Sequence, residues 1–502
     1  MVETCWPGEE IMSTTLENDR SSGLALLILL KSVVVFFVGV FPLPAAEPDE
    51  LISGARQAKT DYRRAIERLA DQNPDEANRI RSVLPPSESD RIYLPRLPLE
   101  FGAAKKGPVP FELCERYADD QFRRAKLAAE KNRGNLAMQL AITAVEANPD
   151  HEEIRKLLGF KLYENRWRTR WEVERLQKGF VDHPVFGWIP EEHVRGYEAG
   201  ERFVKNRWVS VDEEAELRAN INNGWEVDTE HYYLRTNHSL EEGVRLSRRL
   251  EHLYRAWKLL FFRYQLSDET LSKMFKDGTT SGVPPRHRVR LYRNKEDYIA
   301  NLRNIEPNTK NLELSGGYYH PGSRTAYFFP VDDTMDEFYA EYVRKTPYHE
   351  GTHQLFQETR LARSPGLTAN FWLVEGIAMF METFRIEENH YVIGDNSDVR
   401  LEAARRHKHE HNFYVPFERL VRFDRNSFQL YPEMQRLYSQ TAGVTHFLML
   451  AENGRYRDGV VQLLRLLYVG TDRFDSLVRL TGGSFQQLDE EYDRFLKAKQ
   501  GR

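Results

Sequence analysis

TPYHEGTHQLFQETR, residues 346–360, is the stretch on which the reading of this chain turns. His349 and His353 stand four apart, so on a helix both imidazoles share one face, with Glu350 beside them. Two imidazoles on one face can meet a single cation, and an adjacent carboxylate can serve as a base. Further on, FWLVEGIAMFMETF (371–384) supplies Glu375, flanked by the small residues Gly376 and Ala378. Small residues let this second helix approach a partner closely and deliver the carboxylate. Two His and one Glu, with a position left open, are a standard ligand set for a hydrolytic zinc ion. Glu382 lies on the same helical face as Glu375 and is either an alternative ligand or an acceptor that orients a histidine. Pro347 starts or kinks helices and pushes Thr346 away from the α region, so the sequence places His349 in a helix's first turn.

Upstream, the pattern is strand-like. EVDTEHYYLRTN (226–237) and VRLYRN (289–294) are rich in β-formers, and DGTTSGVPPRHR (277–288) between them is a loop. Ser239 with Glu242 forms a capping box opening the amphipathic helix of residues 239–264. LELSGGYYHPGSRTAYFFP (312–330) reads as a hairpin turning at His320-Pro321-Gly322, with Tyr318, Tyr319, Tyr327 and Phe328 alternating. Such a hairpin offers an edge strand to an extended peptide, although alternation equally describes sheet packing. From Thr334 onward the chain reads as almost entirely helical, and Ser484 with Gln487 caps a last helix after Gly482-Gly483. Strands followed by helices make the class α+β.

Residues 51–223 read as helices. Ala125, Ala137, Ala144 and Pro149 resemble the small-residue and proline positions of a tetratricopeptide repeat, and Gly159 falls one period of that repeat after Ala125. An alanine-rich helical hairpin explains them equally well. A second echo pairs LYENRWRTRWEVERL (162–176) with FVKNRWVSVDEEAEL (203–217), sharing Asn165-Arg166-Trp167 and Asn206-Arg207-Trp208. Both tryptophans are expected in core packing.

The 502 residues carry 41% apolar and 29% charged side chains, which excludes collagen-like and polytopic membrane classes. A net charge of −5 gives no basic footprint, so no nucleic-acid partner is expected. Cys5 and Cys114 allow neither a disulfide framework nor a cysteine zinc site, so a metal must use His, Asp or Glu. Residues 23–45 form the strongly apolar run, followed by Ala45, Ala46 and EPDE. The run reads as a secretory signal or as a single uncleaved anchor, with Met1 or Met12 as the start. The expected location is extracytoplasmic, either free or anchored. The expected division is a leader over 1–46, a helical repeat-like region over 51–223 and a metal-site domain over 224–498.

HEGTH followed by W-x-x-E-G-x-A resembles the gluzincin branch of zinc metallopeptidases, and more narrowly a bacterial extracytoplasmic domain of unknown function sharing this signature. The resemblance covers residues 226–498. It implies a zincin-like domain: a small, mostly antiparallel sheet, an active-site helix and a helical C-terminal half. It further implies Zn2+ on His349, His353 and Glu375, and peptide or protein hydrolysis by a zinc-activated water with Glu350 as general base. Tyr438 lies in a helix similar to the one that carries an oxyanion-holding tyrosine in some gluzincins, with Tyr431 and His446 as rivals. The alternative is a non-catalytic scaffold whose helical repeats contact a protein partner. His407, His409 and His411 also suggest a metal, but a solvated basic segment is the expected reading.

Overall fold

The computed structural model describes residues 50–84, 91–97, 107–278, 286–307, 312–360, 365–387 and 390–498. The apolar run 23–45 and loop residues 279–285 lie outside them. The class is α+β. Helix Glu50–Gln72 turns Leu51, Ala55, Tyr62, Ile66 and Ala70 inward at helical spacing. Strand β1 (Ile92–Pro95) follows. Helices Phe111–Glu130 and Gly134–Ala147 then form a hairpin in which Ala118, Ala125, Ala141 and Ala144 are fully buried. Methyl side chains at these positions let the two backbones approach.

From Phe160 to Arg218 the expectation of helices fails. Three β-hairpin–helix modules stand there instead. β2 (Phe160–Tyr163) and β3 (Arg166–Thr169) precede helix Arg170–Gln177, and β4 (Phe180–His183) and β5 (Gly187–Pro190) precede helix Val194–Glu198. β6 (Glu201–Val204) and β7 (Arg207–Ser210) precede helix Val211–Arg218. Turn chemistry is the cause. Glu164, Asn165, Lys205 and Asn206 have φ of 49°, 56°, 47° and 65°, the left-handed pairs that two-residue antiparallel turns require. Each strand is four residues long, too short for alternation to outweigh the helix-forming residues around it.

The duplication is therefore a triplication. Trp167, Trp188 and Trp208 each hold the second position of a module's second strand. The middle copy escaped notice because HPVFGW (183–188) replaces YENRW (163–167). Trp167 is 1% exposed and its Nε1 donates to Asp150, whereas Trp208 is 40% exposed. Core packing holds for the first and not for the third. Gly159, expected in a second helical repeat, precedes β2 instead.

The central sheet has the order β11-β12-β10-β9-β8. β8 (Trp225–Asp228) and β9 (Tyr232–Thr236) are antiparallel, so the run 226–237 is a hairpin and not one strand. β10 (His287–Leu291) runs parallel to both β9 and β12 (Thr325–Phe328), and β11 (Gly317–His320) closes the edge antiparallel to β12. The expected mostly antiparallel sheet is thus mixed. Helix Leu240–Leu260 lies in the crossover from β9 to β10, and helix Lys295–Ile305 in the crossover from β10 to β12. Strand alternation divides the core. Tyr232, Leu234, Val289, Leu291, Ala326 and Phe328 face the main core, while Tyr327 packs with Tyr298 and Leu302 on the other side.

Beyond Thr334 the chain is helical as expected, except for β13 (Arg385–Glu387) and β14 (His390–Ile393). β14 pairs with β13 and with the distant β1, both antiparallel. Helices Glu337–Thr359, Phe371–Met381, Val399–His409, Met434–Gly454, Arg457–Val469 and Phe485–Lys497 complete the C-terminal half. Gly376 faces helix 434–454, where a Cβ would stand 2.2 Å from Thr445 Oγ1. The close approach expected of this glycine is made there. Among the described residues, no helix is long and apolar enough to cross a membrane.

A buried polar joint braces helix 240–260. Glu251 accepts from the His231 backbone N–H at 2.8 Å and pairs with the His231 ring at 2.8 Å, while Tyr254 stacks on that ring. Burial pushes Glu251 up, but the His231 charge and hydrogen bond, with Arg255, outweigh it and hold the carboxyl at about 2. A depressed carboxyl stabilises the fold above its ordinary value near 4.5, and that contribution disappears as pH falls toward 2. Glu251→Gln should cost about 1.5–3 kcal/mol at pH 7. In urea unfolding, the gap from the parent should narrow as pH drops below 4.5. A gap unchanged down to pH ~2 would show that this charge does not stabilise the fold.

Candidate metal centre

Helix Glu337–Thr359 is capped by Asp336, whose carboxylate accepts from Tyr339 N–H at 2.8 Å, and it continues through Pro347. His349 is therefore in mid-helix, not in a first turn. Proline removes one N–H, leaving Val343 C=O without its usual partner. Around this interruption, Thr346 Oγ1 donates to Tyr342 C=O at 2.9 Å, and Arg249 donates to Tyr348 Oη at 3.3 Å. Gly351 permits close packing on helix 240–260, since a Cβ there would lie 2.9 Å from Leu253 Cδ2.

This helix turns both ring Nε2 atoms toward the Glu375 carboxylate. The two Nε2 atoms are 3.2 Å apart, and they lie 3.6 Å (His349) and 3.9 Å (His353) from the nearest Glu375 oxygens. One atom from each of the three residues falls within 4.8 Å of the others, the one such three-ligand group among the described residues. A tetrahedral zinc with bonds near 2.0–2.1 Å would separate two ligand nitrogens by about 3.3 Å. The donor set fits zinc in kind and in spacing.

The surroundings orient the donors. Glu382 accepts from His349 Nδ1 at 2.7 Å and from Arg400 through Nε at 3.0 Å and a terminal nitrogen at 3.1 Å. A proton kept on Nδ1 leaves His349 Nε2 free to face the centre. Of the two expectations for Glu382, the geometry matches the orienting acceptor. Burial disfavours a charge on His349, yet the hydrogen bonds and charges of Glu375 and Glu382 outweigh it and raise the ring to about 10. His353 is lowered to about 4, by burial first and by His349 and Arg425 besides.

Glu350 stands outside the three-ligand group. Its Oε2 accepts from the Tyr319 backbone N–H on the edge strand β11 at 2.8 Å. Burial pushes Glu350 up to about 7, against the opposing effect of His349 and this hydrogen bond. The 312–330 hairpin is present in shorter form, with a 3-10 turn at Leu312–Leu314 before β11. Its aromatics divide between the two faces as sheet packing requires: Tyr319 and Phe328 in the main core, Tyr327 opposite.

Tyr438 is 3% exposed and packs edge-on against Phe428 in the C-terminal core. Tyr431 packs against Phe413 and Phe423, and His446 is fully buried with Nδ1 2.9 Å from Ala442 C=O. His407 and His409 end helix 399–409, and the His407 and His411 rings lie 5.7 Å apart. Sequence reasoning missed Arg400, the contact of the Tyr319 backbone with Glu350, and two residues near the centre, Arg425 and Tyr468. None carries a local signal, because each reaches the site from a separate element. A scan against protein-family models finds no match, and a search of curated proteins finds none either.

Proposed function

We propose that this protein is an exported zinc peptidase with a zincin-like domain. The observation that supports it is the convergence of His349, His353 and Glu375 on one point while Glu350, beside them, is held by Tyr319 N–H. His349 and His353, through Nε2, and Glu375 would hold the ion. When bound, zinc supplies Lewis acidity that polarises a peptide carbonyl and lowers the pKa of water. Glu350 takes the proton of the attacking water and returns it to the leaving amine nitrogen. Tyr319 N–H fixes the carboxylate that does this, and the Glu382–Arg400 pair fixes the ring of His349. Edge strand β11 borders Glu350, and a strand at a sheet edge is the kind of element that an extended peptide or protein substrate pairs with. Zinc assay together with hydrolysis of a mixed peptide library tests the reading; zinc without cleavage defeats it.

The non-catalytic reading draws on one observation, the exposure of Leu162 and Trp208 on the module hairpins, 47% and 40%. Apolar side chains so placed suit contact with a protein partner. That reading takes over if zinc-loaded protein cleaves nothing while a Trp208→Ala chain loses a partner that the parent holds.

Export rests on the apolar run 23–45, serving as signal or anchor. Alkaline phosphatase fused after residue 60 should be active in a bacterial host. Inactive, cytoplasmic reporter would remove the extracytoplasmic assignment.

A further inference from the structure

Arg425 is a cation without a counter-ion at the edge of the centre. Its Nε is buried with no hydrogen-bond partner, and among the described residues no carboxylate lies within ion-pair distance of its guanidinium. Its position is well defined. The guanidinium sits over the Phe371 ring at 4.9 Å, and the Arg425 backbone N–H donates to Gly366 C=O at 2.8 Å. Phe371 and Glu375 are four apart on helix 371–381, so they share a face. Arg425 therefore stands on the side of helix 371–381 that carries Glu375.

Tyr468 comes to the same end of the centre on helix 457–469. Its ring stacks on Phe356 at 5.6 Å, and Phe356 follows His353 by three residues, again on one face. Tyr468 and Tyr318, contributed by two further elements, lie within range of the Arg425 charge. Glu382 and Arg400 lie at the other end of helix 371–381, where their charges offset one another.

An unpaired cation next to a cation-binding pocket repels the ion and weakens its binding. Such a group is stabilised once an anion arrives to pair with it. With a divalent ion bound, the ion and Arg425 together carry more positive charge than Glu375 and Glu350 carry negative. We infer that Arg425, with Tyr468 beside it, forms a subsite next to Glu375 that takes a carboxylate of the substrate. The inference rests on the peptidase reading and deepens it, since it names peptides carrying a carboxylate near the cleaved bond as the substrate class. That carboxylate is either the free C-terminus or an acidic side chain.

The test uses the zinc-loaded full chain and a mixed set of short peptides in matched forms: C-terminal acid against C-terminal amide, and Glu against Gln. KM and kcat are read for the parent, Arg425→Gln and Arg425→Lys, and peptide Kd by calorimetry in Glu350→Gln. The carboxylate form should bind with KM and Kd about 10–100-fold lower than its neutral match. Arg425→Gln should abolish that preference, bringing the ratio of KM values for the matched acid and neutral peptides to about one, and Arg425→Lys should keep part of it. Preference for the C-terminal acid identifies a terminal carboxylate, and preference for Glu identifies a side chain.

Zinc content should stay level or rise in Arg425→Gln, because a repelling charge has gone. Equal handling of matched peptides by the parent overturns the subsite and leaves hydrolysis standing; this comparison needs no variant to fold. Zinc loss in folded Arg425→Gln, or absence of both binding and cleavage, also overturns it. If carboxylate peptides bind through Arg425 and none is cut, the subsite stands and the peptidase reading falls.

Discussion

Glu350→Gln should keep zinc near one per chain and cut peptide turnover by a factor of about 10²–10⁴, the usual effect of losing a general base. The substitution preserves size and helix preference. It also preserves an oxygen that can accept the Tyr319 N–H, now 2.8 Å from the carboxylate, so the edge strand should keep its contact with helix 337–359. What is lost is the capacity to take a proton from water. The three-ligand group does not include Glu350, so metal content should be insensitive to the change. Metal analysis on dialysed protein and cleavage of a broad peptide mixture, run in parallel, report the two quantities separately. Loss of zinc to the same degree as in a ligand variant would make Glu350 a ligand or a structural residue. Unchanged turnover would show that the base is elsewhere.

The convergence of His349, His353 and Glu375 was legible because its information is local. A spacing of four on a helix puts His349 and His353 on one face whatever surrounds them, and Glu375 stood in the next long apolar stretch. The C-terminal helices were legible for the same reason, their apolar periodicity extending over several turns. Pro347 misled because a steric rule about one residue was weighed without its neighbours. The helix runs on through Pro347 at the cost of one hydrogen bond, that to Val343 C=O, and the Asp336 cap sets its true start far upstream. The hairpins of residues 160–210 were missed because four-residue strands carry almost no periodic signal, while their turns depend on left-handed residues, two of them a glutamate and a lysine. The pairing of β1 with β14 joins Tyr93 to Val392, a relation between distant segments that neither segment's pattern encodes. Arg400 belongs to the same class. Its bidentate contact with Glu382 exists only after helix 399–409 has docked.

Removing a ligand should have a different effect from removing the base. His353→Ala and Glu375→Ala each leave two protein ligands, too few to close a zinc site, and zinc content after dialysis should collapse in both. The collapse should also appear as lost stabilisation. Free zinc at about a thousand times its Kd adds about 4 kcal/mol to the parent's folding free energy, a clear rise in Tm that neither ligand variant should show. Glu382→Ala should behave otherwise. Glu382 touches His349 Nδ1 and Arg400, not the point where the three ligands converge, so its loss frees the ring to rotate without removing a donor. Weakening by about 10–100-fold is the expected scale for such an outer partner, so metal should remain at saturating zinc and wash out faster under a chelator. Alanine here also strands Arg400 beside the ring, which adds to the loss of affinity but not to the count of ligands. If Glu382→Ala emptied the site while Glu375→Ala kept it full, the two carboxylates would exchange roles, with Glu382 the ligand and Glu375 the neighbour.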